Sequence, residues 1–393
     1  MKNMRNTLFL GSALALAACG GEMTPKEAID AESTLATTKA ELRMAAPGQG
    51  VEGQYIVVFK EGVDHAAEAA RLAVSPMYSY SIIPGFAAKL NDAQIKGLLN
   101  NPNVAYIEQD GIVTADTTQS GATWGIDRTD QRSLPLSGTY TYTSTASSVT
   151  AYIIDTGILT SHSQFGGRAQ VAYDAIGGNG QDCNGHGTHV AGTVGGSTYG
   201  IAKGVQLRAV RVLNCSGSGT NSGVIAGMDW VRNNHAATSV ANMSLGGGYS
   251  STVNTAATNL VNSGVFLAVA AGNNNADACN YSPASASGTC TVGATTSSDA
   301  RATYSNYGGC VDIYGPGSSI TSAWYTSTTA TNTISGTSMA SPHVAGVGAL
   351  YKATYGNAAA STIVSWLKTN ATANVVSGNP SGTPNQLLYK SSL

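Results

Sequence analysis

Apolar and polar positions change rhythm three times along this chain. Thr7–Ala18 is a mostly apolar run of about 12 residues behind Lys2 and Arg5, too short for a stop-transfer helix and suited to a cleaved export signal. Further on, short elements follow the order strand, helix, strand, strand, helix, strand. They are Tyr55–Phe59, His65–Ala73 behind the capping residue Asp64, Met77–Ile83 and Phe86–Leu90 around the turn Pro84-Gly85, Asp92–Leu99, and Val104–Glu108. That order is the split β-α-β unit, a small α+β (ferredoxin-like) domain. From 149 onward the runs Val149–Ile154, Leu207–Val212, Val240–Met243 and Val265–Ala270 are nearly continuous in apolar residues, as strands buried on both faces require. Helical stretches near 187–195, 222–234, 253–263 and 340–354 lie between or after them. The expected class is α/β, a parallel sheet flanked by helices, with sites at the carboxyl ends of its strands.

Charge marks the same divisions. Residues 1–116 carry 13 acidic and 9 basic groups, whereas 117–393 carry 9 and 11 and contain no glutamate. A formal charge of −2 over 393 residues, with 11 % charged positions, offers no basic field for nucleic acid or an anionic membrane. With 42 % hydrophobic residues and a mean hydropathy of −0.02, the chain is neither a disordered tail nor a polytopic membrane protein. The expected organisation is a signal peptide at 1–19, a loose tether at 20–52, a small acidic domain at 53–116 and the large domain at 117–393. The signal ends in Leu16-Ala17-Ala18-Cys19, which resembles the lipobox of bacterial lipoproteins and would make Cys19 a lipidation site. Export permits disulfides.

Four polar stations stand at expected carboxyl ends of strands. They are Asp155 in Tyr152-Ile-Ile-Asp-Thr-Gly157, His186 in Asn184-Gly-His-Gly-Thr-His-Val-Ala-Gly192, Asn273 in Ala270-Ala-Gly-Asn273, and Ser338 in Ser335-Gly-Thr-Ser-Met-Ala-Ser-Pro-His-Val-Ala-Gly346. A serine hydroxyl becomes a nucleophile when a base takes its proton, and a carboxylate can hold that base and stabilise its cation. Ser338 opens a helix with Pro342 expected near the first turn, and its N–H would lie at the positive helix end, where an oxyanion is favoured. Glycines flank His186, so it can sit close against another backbone. A metal site built on His186 and His189 would lack the glutamate of H-E-x-x-H. His162, His189, His235 and His343 are taken as structural.

With these motifs in the order Asp, His, Ser, the chain resembles the subtilisin-like serine proteases, in the proteinase K branch and closest to its aqualysin-like members. The likeness runs from about 117 onward, and the acidic domain resembles the family's inhibitory propeptide. The resemblance implies a triad of Asp155, His186 and Ser338, with Asn273 and the Ser338 N–H as oxyanion donors. It also implies a polypeptide substrate held between Gly217-Ser218-Gly219 and Ser244-Leu245-Gly246-Gly247, with Ala270 and Gly272 lining the primary pocket. No charged residue lies in 244–248 or 268–273, so that pocket should take apolar or aromatic side chains.

Setting Cys19 aside leaves five cysteines, an odd number, and the sequence leaves their pairing open. The family resemblance implies Cys183–Cys215 and Cys279–Cys310, with Cys290 reduced and buried. It further implies structural calcium. One site would use the Ser287 and Thr289 carbonyls with the Asp312 carboxylate; a second would use Asp127, Asp130 and Gln131, near Ser137 and Thr139. The expected protein is a secreted, monomeric serine endopeptidase made as a self-processing precursor, anchored by lipid if Cys19 is acylated, with its own 53–116 segment as a partner. The competing readings are an idle binding protein on the same fold and a metallopeptidase using His186 and His189.

Overall fold

The computed structural model describes residues 39–45, 50–112 and 117–393. Cys19 and the rest of the expected signal peptide fall outside the described residues. Two compact units result, a small one built around Glu52–Asp110 and a large one around Gly111–Leu393.

In the small unit the chain runs β1 (Glu41–Arg43), β2 (Gly50–Phe59), α1 (His65–Arg71), β3 (Pro76–Tyr80), β4 (Gly85–Lys89), α2 (Asp92–Leu99) and β5 (Val104–Gly111). Asp64 caps α1 by accepting the Ala66 and Ala67 N–H groups, and Asn91 forms a reciprocal capping box with Gln94 at the start of α2. The sheet order is β1-β5-β2-β4-β3. Alternate residues of the strands (Val57, Phe59, Phe86, Ala88) pack with Ala69, Ile95 and Leu98 of the two helices. Met77, Tyr78 and Ile82 stay exposed. One expectation is corrected here. Residues 41–43, assigned to a loose tether, form an edge strand parallel to β5, and the Arg43 guanidinium lies 4.0 Å from the centre of the Tyr106 ring. Its stabilisation is backbone pairing and a cation–π contact, neither of which leaves an apolar pattern.

The large unit begins with β6 (Thr117–Ser120), α3 (Trp124–Asp130) and β7 (Thr139–Tyr142). Its α/β body follows as β8 (Thr150–Asp155), β9 (Ala169–Asp174), α4 (His186–Gly195), β10 (Gln206–Arg211), α5 (Asn221–Asn234), β11 (Ser239–Met243), β12 (Gly247–Gly248), α6 (Ser251–Asn262), β13 (Phe266–Ala270), β14 (Tyr281–Ser282), β15 (Cys290–Thr295) and β16 (Ile313–Pro316). The chain then forms the hairpin of β17 (Ile320–Ala323) and β18 (Thr331–Ile334), α7 (Thr337–Tyr355), α8 (Ala360–Asn370), β19 (Thr372–Ala373) and β20 (Gln386–Leu387).

Nine strands form the main sheet in the order β19-β20-β16-β15-β13-β11-β8-β10-β9, parallel except for the β19–β20 pair. The continuous apolar runs now have a reason. Ala151, Ile153, Phe266 and Ala268 face α4, α7 and α8, whereas Tyr152, Ile154, Leu267 and Val269 face α5 and α6. Each fully buried Ile, Leu, Val or Phe contributes roughly 1.5–3 kcal/mol. The later strands of the chain add on either side of β8, so the sheet order reverses there. That reversal opens a crevice at the carboxyl end of β8, where Asp155 sits.

Disulfides join Cys183 to Cys215 and Cys279 to Cys310, closing loops of 32 and 31 residues in sequence separation. Each stabilises by about 3–4 kcal/mol in the chain-entropy picture. Cys290 is reduced and buried in β15, and burial pushes its thiol well above the usual range, so it is a small packing residue.

Candidate active site

The crevice collects the four stations. Asp155, the last residue of β8, is wholly buried; its Oδ1 lies 2.8 Å from His186 Nδ1 and accepts the Thr156 N–H at 2.7 Å. Bonding to a carboxylate commits Nδ1 to carrying a proton, which leaves the Nε2 lone pair free to act as a base. His186 opens α4, with its side chain 24 % exposed. Burial lowers its pKa, but the Asp155 charge and hydrogen bond, with the charge of Asp182, outweigh burial and raise it overall. The flanking glycines do what the sequence suggested. A Cβ on Gly187 would fall 2.1 Å from the Gly157 carbonyl, so the first turn of α4 packs directly on the backbone beyond Asp155.

Ser338 is the second residue of α7. Its hydroxyl donates to the Ser244 carbonyl at 3.1 Å, and the Ser244 hydroxyl donates back to the Ser338 carbonyl at 2.7 Å. Among the described residues no hydrogen bond joins the Ser338 hydroxyl to His186, as is common where no substrate draws the two together. The expected place of Pro342 needs correction. Helix α7 begins at Thr337, so Pro342 lies in the second turn rather than the first. Proline has no N–H to give the carbonyl four residues back, which is that of Ser338, and the Ser244 hydroxyl satisfies it instead.

Asn273 is oriented from one side. Its Oδ1 accepts the Thr337 N–H at 2.8 Å and the Thr337 hydroxyl at 2.9 Å, which turns the amide NH2 toward the crevice. The Ser338 N–H stands at the start of α7, so two donors converge where an oxyanion could form.

Both candidate substrate edges border cavities. A cleft of about 570 Å³ is lined by His186, Leu213, Gly217, Ser218, Gly219 and the stretch 244–247. An adjoining cavity of about 360 Å³ is lined by Ala270, Gly272, Asn273, Ala284 and Ser338, with no Asp, Glu, Lys or Arg in either wall. Three residues that the sequence did not single out lie behind these walls and hold them. The Asn214 side chain accepts the Ser216 and Ser218 N–H groups and knits the first edge. Asn306, wholly buried, donates to the Ala271 carbonyl and accepts from Asn274 and Ala276, fixing the loop beneath the smaller cavity. Asp182 braces His186. Asn306 finds its partners on a distant loop, so only the fold reveals it, whereas Asn214 knits its own turn and Asp182 takes all but its Thr156 bond from residues 184–188.

His189 stands apart from the site. It is wholly buried, and its Nε2 donates to the Ile320 carbonyl at 3.0 Å. A metal held jointly with His186 has no support from this arrangement.

The two calcium sets differ. Asp312 Oδ2 accepts the Thr291 N–H, so its carboxylate lies at the start of β15, just past Ser287 and Thr289. Its Oδ1 already holds a stand-in cation, the Lys368 ammonium, at 2.6 Å. That lysine is 42 % exposed, and an oxygen set that already pairs with a cation fits a hard ion by its chemistry. In the second set, Asp127 accepts the Ser137 N–H and hydroxyl and the Gly138 N–H, Asp130 accepts the Thr141 N–H, and Gln131 bonds Ser133, Pro135 and Ser137. Those side chains knit the loop after α3, and as arranged they do not fit calcium.

Comparison with known proteins identifies two families along the chain. Residues 146–386 match the model of the Subtilase family, and 54–116 match that of Peptidase inhibitor I9. The chain is 51 % identical over 411 residues to the Extracellular serine proteinase of Thermus sp. (strain Rt41A), covering 97 % of this chain and 98 % of the relative. It is 47 % identical to Proteinase R of Parengyodontium album, covering 88 % and 90 %. A solved cold adapted subtilisin-like serine proteinase superposes with a TM-score of 0.67 at 54 % identity, covering 70 % of this chain and 99 % of that one.

Proposed function

This chain belongs to the subtilase family of serine proteinases, and from that premise we propose an endopeptidase in which Asp155, His186 and Ser338 form the triad. The observation that carries the proposal is the 2.8 Å bond from a buried Asp155 to His186, at the same sheet end that presents Ser338 and Asn273. A peptide would lie as an added strand along 244–247 and 217–219, with the side chain before the scissile bond in the uncharged cavity at Ala270 and Gly272. Apolar and aromatic residues suit that cavity. Ser338 Oγ attacks the carbonyl while His186 Nε2 takes its proton. The developing oxyanion accepts from the Asn273 amide and the Ser338 N–H. His186 then protonates the leaving amine, the acyl-enzyme forms, and water repeats the sequence to release the acid. Throughout, Asp155 keeps the imidazole oriented and stabilises its cation.

The I9-matching segment is proposed as folding helper and inhibitor within 53–116, with 117–393 as the mature enzyme, self-cleavage near 113–117, and 1–19 as the export signal. Acylation of Cys19 would anchor only the precursor, and fractionating cells that make Ser338→Ala tests this: precursor in the soluble fraction, starting at Ala18, would defeat it. For calcium, the Ser287 and Thr289 carbonyls and the Asp312 carboxylate would hold the ion, which would supply charge that fixes the loop before β15.

The direct test of the triad is intact-mass analysis after a serine-directed organophosphonate. One adduct per chain on the peptide containing Ser338 is expected. Full activity with that serine unlabelled would overturn the assignment.

A further inference from the structure

The established family chemistry uses Asp155 as the carboxylate behind the histidine. A second carboxylate lies beside it. Asp182 is buried, 6 % exposed, yet receives five donors. Its Oδ1 accepts the Thr156 hydroxyl and the Asn184 and Gly185 N–H groups, each at 2.9 Å. Its Oδ2 accepts the Thr188 N–H at 2.9 Å and the Thr188 hydroxyl at 2.6 Å. An anion so buried is tolerated only when its lone pairs are satisfied, and here they are.

The two hydroxyls do more than satisfy it. Thr156 directly follows Asp155, and its hydroxyl oxygen accepts the Gly187 N–H at 2.9 Å. Thr188 lies two residues past His186, and its hydroxyl oxygen accepts the Leu159 N–H at 2.9 Å. Each hydroxyl donates its one hydrogen to the carboxylate and thereby turns a lone pair toward the opposite element. The segment after β8 is thus strapped to the first turn of α4 by two reciprocal bonds, both oriented by one charge.

We propose that Asp182 is a positioning residue for catalysis: it holds the Asp155 strand end and the His186 helix end in one fixed relation. The proposal rests on the triad reading and deepens it. Asp182 touches neither substrate nor the reacting atoms. It acts through Thr156 and Thr188, and its charge also favours the imidazolium that forms in the transition state. The titratable groups that shift His186 among the described residues are Asp155 on β8 and Asp182 in the loop before α4; His189, one turn along α4, also faces it and has its own pKa lowered by it.

The test uses the full chain, matured and counted by active-site titration, with a chromogenic peptide. Asp182→Asn keeps the shape but replaces an acceptor by an NH2 donor facing Thr188 or Thr156. Misplacing a reacting group by an ångström costs on the order of 10²-fold, so kcat per titrated site should fall by about that factor with KM nearly unchanged. Loss of the negative charge lowers the His186 pKa, so the acid limb of the kcat/KM profile should move to lower pH. Thr156→Val, which keeps the charge and cuts one strap, should lower kcat about tenfold without moving the acid limb, and Thr156→Ser should restore it. Wild-type kcat and an unmoved acid limb in Asp182→Asn would overturn the proposal. Should that variant fail to mature, equal kcat in Thr156→Val and Thr156→Ser would overturn it equally. Neither failure touches the triad reading, which stands or falls on labelling of Ser338 in the unaltered chain.

Discussion

At the rim of the sheet His186 faces the Asp155 carboxylate and keeps a raised pKa although it is largely enclosed. One turn along the same helix, His189 faces the backbone of Ile320 and Asn332 instead of a carboxylate, and burial pushes its pKa down to about 4. His343 in α7 bonds the Met339 carbonyl and is likewise pushed down to about 4. The rim and the interior beneath it receive the same side chain from neighbouring motifs. A carboxylate within hydrogen-bond reach makes one imidazole a base ready to accept a proton; a carbonyl partner leaves the others neutral. Enclosure alone predicts nothing about the sign of the shift.

The strongest way to test the rim is Ser338→Ala, which should remove nucleophilic attack while leaving the Asp155–His186 pair in place. A fall in kcat on the order of 10⁶-fold is expected, the scale found for the corresponding loss in subtilisin, with the precursor left uncleaved. Normal self-processing of the purified variant would show that the rim is not the active site. Asn273→Ala should cost about 10²–10³ in kcat with little change in KM, again the scale known from subtilisin. A pure KM effect would reduce Asn273 to a substrate-holding group.

The interior is tested by acid. His189 and His343 have folded-state pKa values below the unfolded value, so at neutral pH they are neutral in both states and cost nothing. As pH falls below about 6.5 the unfolded chain binds protons that the folded one refuses until about 4, and stability drops across that window. Each histidine can withdraw roughly 3 kcal/mol at most. Urea midpoints of the organophosphonate-blocked enzyme at pH 7, 5.5 and 4.5 report it; a flat series would show that the interior imidazoles are solvated. The smallest effect belongs to an exposed ion pair. Lys368→Ala removes the ammonium from Asp312 at a cost of at most about 1 kcal/mol after solvent screening. If the first calcium set is real, the variant should also gain more thermal stability from added calcium than the parent does.

What the sequence made legible follows the same division. Strands β8, β10, β11 and β13 announced themselves because burial on both faces demands unbroken apolar runs. Asp155 and Asn273 sat at or just past the ends of two of those runs, but His186 and Ser338, expected at strand ends too, open helices α4 and α7. The strand β1 stayed hidden, since Glu41-Leu42-Arg43 is stabilised by backbone pairing and one ring contact. Helix α8 was not expected, although Ile363 and Leu367 bury one face of it. The long-range fixings of Asn306 and of Asp182 to Thr156 were invisible, because each depends on which loops the fold brings together, whereas the Asn214 turn is local and leaves no apolar pattern. The span of α7 also escaped by a few residues, which hid the position of Pro342.

That position has a mechanical consequence. In an ordinary helix the Ser338 carbonyl would be closed off by its own fourth neighbour. Pro342 leaves it open, and Ser244 occupies it while lending its own carbonyl to the Ser338 hydroxyl. The proposed nucleophile and the proposed peptide-binding edge therefore meet in one two-way joint, with no third side chain between them. Under the proposed mechanism, the edge at 244–247 and the hydroxyl of Ser338 thus share one joint, so a shift of either is felt by the other.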